Sequence, residues 1–131
     1  MSDSLDENTL SGAQLDIMRI VWDLEEATVR DVWQELAKER SLARNTVLTM
    51  ITRLHERGWL KRRTRGNAHV YRATRQRQTT LGKIVSNLVA TAFQGSTEGL
   101  LRTLFSQQRL SPAELERIRK LIDEAQPTRR G

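Results

Sequence analysis

The sequence from residue 41 to residue 59 reads SLARNTVLTMITRLHERGW. Placed on a helix, its apolar residues fall at i, i+3, i+4 and i+7, the spacing of a stripe packed on a core: Val47, Met50, Ile51 and Leu54. The opposite arc is polar and nearly free of acid, and it carries Asn45, Thr49, Thr52, Arg53 and Glu56, with Thr46 on its flank. Gly58 predicts the end of the helix, because glycine enters the left-handed conformation without steric cost. A helix with this outer face suits contact with the edges of bases.

Two more helices are predicted before this one. Ser11 and Gln14 form an S-x-x-Q capping box, and Thr28 with Asp31 begins the next helix by the same logic. Apolar residues follow each start at helical spacing, including Trp22 in the first helix and Trp33 in the second. Both tryptophans lie on apolar faces, which favours core anchors over a ligand site.

After Gly58 the periodicity becomes strand-like. Residues 59–65 and 68–72 flank the dipeptide Gly66-Asn67, which suits the two-residue turn of a hairpin. Alternation assigns two side chains to each face, Ala68 and Val70 to one and His69 and Tyr71 to the other. Three helices and then a hairpin is the order of a winged helix-turn-helix, in which the third helix enters the major groove and the hairpin reaches the flanking backbone.

From residue 75 the sequence predicts three short helices. Gly95 and Ser96 separate the first two, and Ser111 with Pro112 and Glu114 begins the third. These helices have little volume in which to bury their apolar stripes, so we expect a second copy of the segment to cover them, with folding back onto the winged domain in a monomer as the alternative. The residues expected at this dimer contact are Leu81, Ile84, Val85, Leu88, Leu100, Leu101, Leu104, Phe105, Leu115, Ile118 and Ile122.

Charge is concentrated in the middle of the chain. The whole sequence carries a net charge of +6, but residues 1–41 carry −6 and residues 42–77 carry +9. Such a block is the electrostatic footprint of a polyanion site, and its coincidence with the polar-faced helix outweighs the alternative of a merely solvated surface. The side chains expected to hold phosphate are Arg44, Arg53, Lys61, Arg62, Arg63 and Arg65.

Several classes of protein are excluded or disfavoured. The sequence has no cysteine, so disulfides, thiolate metal sites and cysteine nucleophiles are impossible. Its two histidines, His55 and His69, belong to no catalytic or metal-binding spacing, and we expect no enzyme activity, metal or cofactor. The acidic N-terminus lacks the pattern of a signal peptide, and the uncharged stretch at residues 84–97 is too short and polar to span a bilayer, so we expect a cytoplasmic protein.

Five segments together resemble the BlaI/MecI type of penicillinase repressor. They are LSGAQLDIMRIVWD, ATVRDVWQEL, NTVLTMITRLHERGWL, the basic hairpin ending HVYR, and LSPAELERIRKLID, and they span residues 10–124. The resemblance implies a winged-helix repressor that binds a palindromic operator as a dimer through its C-terminal helices. It places major-groove contacts at Asn45, Thr46, Leu48 and Thr49, and wing contacts at residues 62–65 and near Tyr71. Leu48 departs from the basic or polar residue that this position can hold in the family.

The resemblance also bears on how a repressor of this type is released from DNA. In the members that respond to beta-lactams, a protease cuts within the dimerisation helices, so an inactivating protease is an implied partner. The matching bond here joins Thr103 to Leu104 and lacks the Asn-Phe pair of those members. The copper-responsive relatives use a C-terminal cysteine motif, which this sequence does not contain.

The sequence therefore predicts a mainly α protein with a small β-hairpin wing. We expect an acidic disordered N-terminus over residues 1–9, a winged helix-turn-helix domain over 10–74, a helical dimerisation domain over 75–125 and a flexible tail over 126–131. The predicted function is a dimeric repressor that occludes a promoter by binding a palindromic operator. The alternative is a winged-helix module that docks another protein or binds nucleic acid without specificity.

Overall fold

A computed structural model describes residues 10–125; the segments expected to be disordered, 1–9 and 126–131, lie outside that range. Six helices and two strands occupy it in the predicted order. They are α1 (Gly12–Leu24), α2 (Val29–Ala37), α3 (Arg44–Glu56), β1 (Leu60–Arg65), β2 (Ala68–Ala73), α4 (Arg77–Ala92), α5 (Thr97–Gln107) and α6 (Pro112–Glu124). The prediction of a mainly α chain with one hairpin is confirmed.

Capping residues define the first two helices as the sequence predicts. The Ser11 hydroxyl accepts a hydrogen bond from the Gln14 backbone N–H at 3.1 Å, and the Gln14 side chain accepts one from the Ser11 N–H at the same distance. Thr28 and Asp31 make the equivalent pair at 3.0 Å at the start of α2. Each box satisfies two backbone donors that a helix start would otherwise leave unpaired.

Helix α3 begins at Arg44, three residues later than the start of the stretch that predicts it. Its end is the predicted one, because Gly58 has φ +85°. The Gly58 N–H donates to the His55 carbonyl at 3.1 Å, and the Trp59 N–H donates to the Leu54 carbonyl at 2.9 Å. This pair of bonds is the Schellman motif, which turns the chain directly into β1.

The hairpin is antiparallel, and Arg65 pairs with Ala68 across the two-residue turn. Gly66 takes the positive φ of +61°, while Asn67 is not among the residues with positive φ. A type II′ turn has glycine with positive φ at its first central position only, whereas a type I′ turn needs positive φ at both. The hairpin turn therefore fits type II′. The register confirms the predicted faces, since Arg62 pairs with Tyr71 and Arg63 pairs with Val70.

The hydrophobic core is built from the three N-terminal helices and the wing. The stripe of α3 is fully buried at Val47, Ile51 and Leu54, with Met50 partly buried against it. Ile17, Met18, Val21, Val32 and Leu36 from α1 and α2 complete the same cluster, together with Trp59, Leu60 and Tyr71. Since α3 packs this stripe against the core, its opposite face points outward.

The loop between α1 and α2 adds one antiparallel β-bridge to the wing. Ala27 and Tyr71 exchange two backbone hydrogen bonds, of 2.9 Å from the Ala27 N–H and 2.8 Å from the Tyr71 N–H. Ala27 therefore lies beside β2, on the side away from β1. This bridge also fixes the neighbouring residue Glu26 against the sheet.

The described residues divide into two compact units, of which the first ends at Val85 and the second begins at Ser86. The first unit extends beyond the boundary expected at residue 74, because the start of α4 is tied to α1. The Trp22 indole N–H donates to the Arg75 carbonyl at 2.8 Å, and Arg77 forms an ion pair with Asp23. Thr80 is buried in the same unit.

The second unit contains the end of α4 together with α5 and α6. Gly95 (φ +86°) and the N-cap Ser96 separate α4 from α5, and the Ser111 hydroxyl caps α6 by accepting from the Glu114 N–H at 3.1 Å, all as predicted. Neither α5 nor α6 contains a buried residue. Large apolar side chains are instead exposed, among them Leu88, Leu104, Phe105, Leu121 and Ile122.

Within the part of the chain that the structure describes, none of the helices has the length and apolar character needed to cross a membrane.

Candidate nucleic-acid interface

The outer face of α3 is exposed along its N-terminal half. All four residues to which base contacts are assigned lie there in solvent, namely Asn45, Thr46, Leu48 and Thr49. The two phosphate candidates on the same helix, Arg44 and Arg53, are exposed as well. The structure therefore brings these six side chains onto one open surface, opposite the buried stripe.

A tryptophan positions the loop that leads into this helix. The Trp33 indole N–H on α2 donates a hydrogen bond of 2.8 Å to the backbone carbonyl of Leu42. Trp33 and Leu42 both pack against the core. Because α3 begins two residues after Leu42, this bond fixes where its first turn lies relative to α2.

A groove of about 470 Å³ joins α3 to the wing and to the start of α2. The α3 side contributes Arg44, Asn45 and Leu48. The remaining lining residues are Thr28, Val29 and Arg30 from the start of α2 and Asn67, Ala68, His69 and Tyr71 from the wing. Three elements that are distant in sequence thus meet beside the predicted base-reading residues.

The electrostatics of this groove favour an anion. Its lining includes the cations Arg30 and Arg44 and no acidic residue. No side chain within residues 10–125 caps the start of α3, where Ala43 occupies the N-cap position. The first backbone N–H groups of the helix, at Arg44 and Asn45, are therefore available to a phosphate oxygen, and the helix dipole favours negative charge at this end.

Arg30 is a groove residue that the sequence pattern did not indicate. It lies within the acidic first third of the chain, so the charge count does not mark it. A usable signal was its position in the first turn of α2, directly after the N-cap Thr28 and Val29. A cation is unfavourable at that end of a helix, and such a residue is a candidate for contact with an external anion.

The cations of the wing fall into two groups. Arg62 lies opposite Tyr71 in the register, on the face that carries the groove residues His69 and Tyr71. Arg63 and Arg65 alternate onto the other face, where each guanidinium lies 2.9 Å from the same oxygen of Glu26. Within residues 10–125, Arg44, Arg53, Lys61 and Arg62 form no ion pair with an acidic side chain, so Arg63 and Arg65 differ from the other phosphate candidates.

Tyr71 does not have the placement expected of a phosphate contact. Its side chain is only 1% exposed and belongs to the core. The rings of His55 and His69 approach it edge-on, at centroid distances of 6.2 and 6.4 Å. Both faces of β2 are covered at this point, because Val70 is buried as well. The side chain of Tyr71 therefore supports the wing from beneath the groove.

The family model for penicillinase repressors matches residues 10–124, nearly the whole chain and both compact units. The chain belongs to the penicillinase repressor family. This membership confirms the resemblance given by the α3 segment and the C-terminal helix start. It also identifies the chain as a DNA-binding transcriptional repressor rather than an enzyme.

Curated relatives agree with this assignment. The methicillin resistance regulatory protein MecI of Mammaliicoccus sciuri is 23% identical over 114 residues, covering 87% of this chain and 93% of the relative. The penicillinase repressor of Staphylococcus aureus is 22% identical over 115 residues, covering 88% of this chain and 91% of the relative. This penicillinase repressor family member therefore matches its relatives over almost their full length.

Solved structures confirm the winged-helix fold. The solution structure of the DNA-binding domain of the repressor BlaI superposes with a TM-score of 0.50 and 27% identity, covering 53% of this chain and 85% of that one. Wild-type MarR from E. coli superposes with a TM-score of 0.54 and 17% identity, covering 95% of this chain and 82% of that one. At the latter identity the likeness concerns the fold alone.

Proposed function

We propose that this penicillinase repressor family member binds a palindromic DNA operator as a homodimer and represses transcription by occluding a promoter. In the proposed complex the N-terminal half of α3 enters the major groove. Asn45, Thr46, Leu48 and Thr49 contact base edges there. Operator DNA as the partner implies a protein that acts in the cytoplasm.

The groove between α3 and the wing is the observation that carries this proposal. It combines an exposed polar helix face, the uncapped start of that helix, and cations without an acidic residue among them. Phosphate contacts from Arg30, Arg44 and Arg62 position the protein, while base contacts supply the sequence information. The name of one solved neighbour, the DNA-binding domain of the repressor BlaI, fits the same assignment.

Homodimer formation is proposed from the exposed apolar side chains of α4, α5 and α6. Leu121 and Ile122 are 65% and 57% exposed, and Val85, Leu88, Leu104 and Phe105 are 39–48% exposed. A second copy of the same helices would cover them, since two-fold assembly places identical patches in contact. Two α3 helices related by such an axis would read half-sites about one DNA turn apart, or a multiple of it.

Selection of bound fragments from a pool of random duplex DNA tests the proposal with the purified full chain. We expect an enriched palindrome, bound about 10³-fold or more tightly than random duplex at physiological salt. A winged-helix module that docks proteins or binds nucleic acid non-specifically would enrich no sequence. Enrichment of a site without two-fold symmetry would instead retain the DNA contact and exclude the dimeric arrangement.

For regulation, we propose that an inactivating protease releases the repressor from DNA by cutting within the dimerisation helices. The Thr103–Leu104 bond lies inside α5, and the Thr103 carbonyl accepts a hydrogen bond of 2.8 Å from the Ser106 hydroxyl. A protease needs an extended substrate, so cleavage here requires the helix to unfold locally. If a protease regulates the repressor in this way, we expect the Thr103–Leu104 bond to be cut faster in the monomer than in the dimer. Equal cleavage rates would argue against this regulation.

A further inference from the structure

Glu26 forms ion pairs with three arginines of the wing. One of its carboxylate oxygens lies 2.9 Å from the guanidinium groups of both Arg63 and Arg65. The other oxygen lies 3.9 Å from the guanidinium of Arg72. The carboxylate therefore occupies arginine nitrogens that could otherwise bind a phosphate, since Arg side chains bind both kinds of anion.

The backbone holds Glu26 in this position. Its neighbour Ala27 is joined to Tyr71 of β2 by two hydrogen bonds. The preceding residue, Glu25, has φ +70° and ends α1 by donating to the Val21 carbonyl at 2.7 Å. The side chain of Glu26 is 30% exposed, compared with 52% for Arg63 and 60% for Arg65, so the acid is the more enclosed partner.

The face of the wing on which Arg63 and Arg65 lie determines which DNA complexes these arginines can contact. Arg63 and Arg65 alternate away from Arg62, Tyr71 and His69, and the latter side carries the groove beside α3. Only at the turn does the groove also include Ala68, the residue opposite Arg65. A DNA duplex seated correctly on α3 meets the groove side of the wing. A polyanion bound in another orientation can contact either side of the wing. Each accessible cation then adds to its affinity, because non-specific binding is almost entirely electrostatic.

We propose that Glu26 is a specificity-determining residue, which occupies Arg63 and Arg65 in place of phosphate and thereby weakens binding to DNA that does not fit α3. The inference rests on the proposed operator binding. In a correctly seated complex the two arginines stay on Glu26, and little affinity is lost. In a non-specific complex they must first leave the carboxylate, or remain unused, and the Glu26 charge itself repels the backbone.

Glu26→Gln and Glu25→Gln form a matched pair for the test. Each removes one negative charge from the same loop, but the ion pairs with the wing arginines involve Glu26. Affinities of the full chain for random duplex and for the duplex selected as operator are measured over a range of salt concentrations. Thermal unfolding of each variant is recorded alongside, so that a folding defect is recognised.

We expect Glu26→Gln to bind random duplex roughly three- to tenfold more tightly than the wild type, since exposed ion pairs each contribute little and the two short ones, with Arg63 and Arg65, are lost together with the longer one to Arg72. The salt dependence should steepen by about one to two units, at ~0.9 per newly contacted phosphate. Affinity for the operator should rise less than about twofold, so the ratio of the two affinities falls. Glu25→Gln should tighten both DNAs equally and by less than about twofold.

A double-mutant cycle with Arg63→Gln and Arg65→Gln separates the arginines from the general charge effect. In that background Glu26→Gln should behave like Glu25→Gln. The proposal is overturned if Glu26→Gln tightens both DNAs by the same factor, if it matches Glu25→Gln, or if its effect persists without the two arginines. A wild-type chain that prefers no duplex would overturn the operator function instead, and the random-duplex measurements would still show whether Glu26 restrains the arginines.

Discussion

The hydroxyl of Thr49 donates a hydrogen bond of 3.0 Å to the backbone carbonyl of Asn45, one turn earlier on α3. Two of the four residues assigned to base reading are therefore linked on the same exposed face. The bond uses the donor of Thr49 and leaves its oxygen free to accept from a base, while the Asn45 amide can offer both donor and acceptor groups to a base. This arrangement suits recognition that depends on sequence.

We expect Asn45→Ala or Thr49→Ala to weaken operator binding by ~1–3 kcal/mol and to change binding to random duplex little. Thr91→Ala is the matched control, because the Thr91 hydroxyl makes the same type of bond to the Asn87 carbonyl, at 2.7 Å on α4. Titration of both duplexes with each variant by fluorescence anisotropy measures the difference. Equal losses on the two DNAs would remove these residues from the base-reading set.

Arg62 is the wing cation whose loss should affect all DNA alike. It lies on the groove face and has no acidic partner among the described residues, so we expect it to contact phosphate. Arg62→Ala should weaken operator and random duplex by similar factors and lower the salt slope by about 0.9. Arg109→Ala removes an exposed arginine outside the groove and serves as the control. An unchanged slope for Arg62→Ala would mean that the wing does not touch the backbone through this residue.

The bond from Trp33 to Leu42 should contribute both to stability and to the position of α3. Trp33→Phe removes the indole donor while keeping an aromatic ring, and the loss of one part-buried hydrogen bond is expected to cost about 0.5–1.5 kcal/mol of unfolding free energy. Operator affinity should fall as well, because the first turn of α3 is less fixed. Urea denaturation and operator titration measure the two effects.

Trp22→Phe is the control for that variant, since Trp22 makes an equivalent 2.8 Å bond to the Arg75 carbonyl. It should lower stability by a similar amount and leave affinity for a single half-site unchanged, because Trp22 and Arg75 do not line the groove beside α3. If Trp33→Phe also left half-site affinity unchanged, the Leu42 contact would be structural only.

Local features of the fold were predictable from the sequence because short-range rules determine them. The boxes at Ser11 and Thr28 and the glycine stop at Gly58 each depend on residues within one helical turn. The two-residue hairpin likewise followed from Gly66-Asn67 between alternating segments. The polar face of α3 was identified for the same reason, since the stripe of buried residues fixes the opposite surface.

Contacts between distant segments account for what the sequence did not predict. Glu26 and Arg63 are 37 residues apart, and they meet only because the loop after α1 pairs with β2. That same pairing helps to cover Tyr71, which alternation alone places on a face without showing whether the face is buried. The extension of the first unit to Val85 depends on Trp22 meeting Arg75, a contact that spans 53 residues.

Val85 tests whether the exposed apolar residues of α4 form the proposed dimer contact. Its side chain is 48% exposed and lies in the stripe with Leu81, Ile84 and Leu88, whereas the next residue, Ser86, is exposed outside that stripe. Val85→Glu would bury a carboxylate against apolar side chains of the second copy. An uncompensated buried charge costs about 3–5 kcal/mol, which corresponds to a rise of more than about 100-fold in the dimer dissociation constant.

Ser86→Glu adds the same charge one position along the helix and should leave the dimer largely intact. Sedimentation equilibrium measures association of both variants, and operator titration shows its consequence. A monomeric Val85→Glu chain should bind the full palindrome far more weakly than wild type but keep its affinity for an isolated half-site, because α3 and the wing are unchanged and only the linkage between half-sites is lost. If Val85→Glu stayed dimeric while Ser86→Glu dissociated, the contact would lie on the neighbouring face of α4.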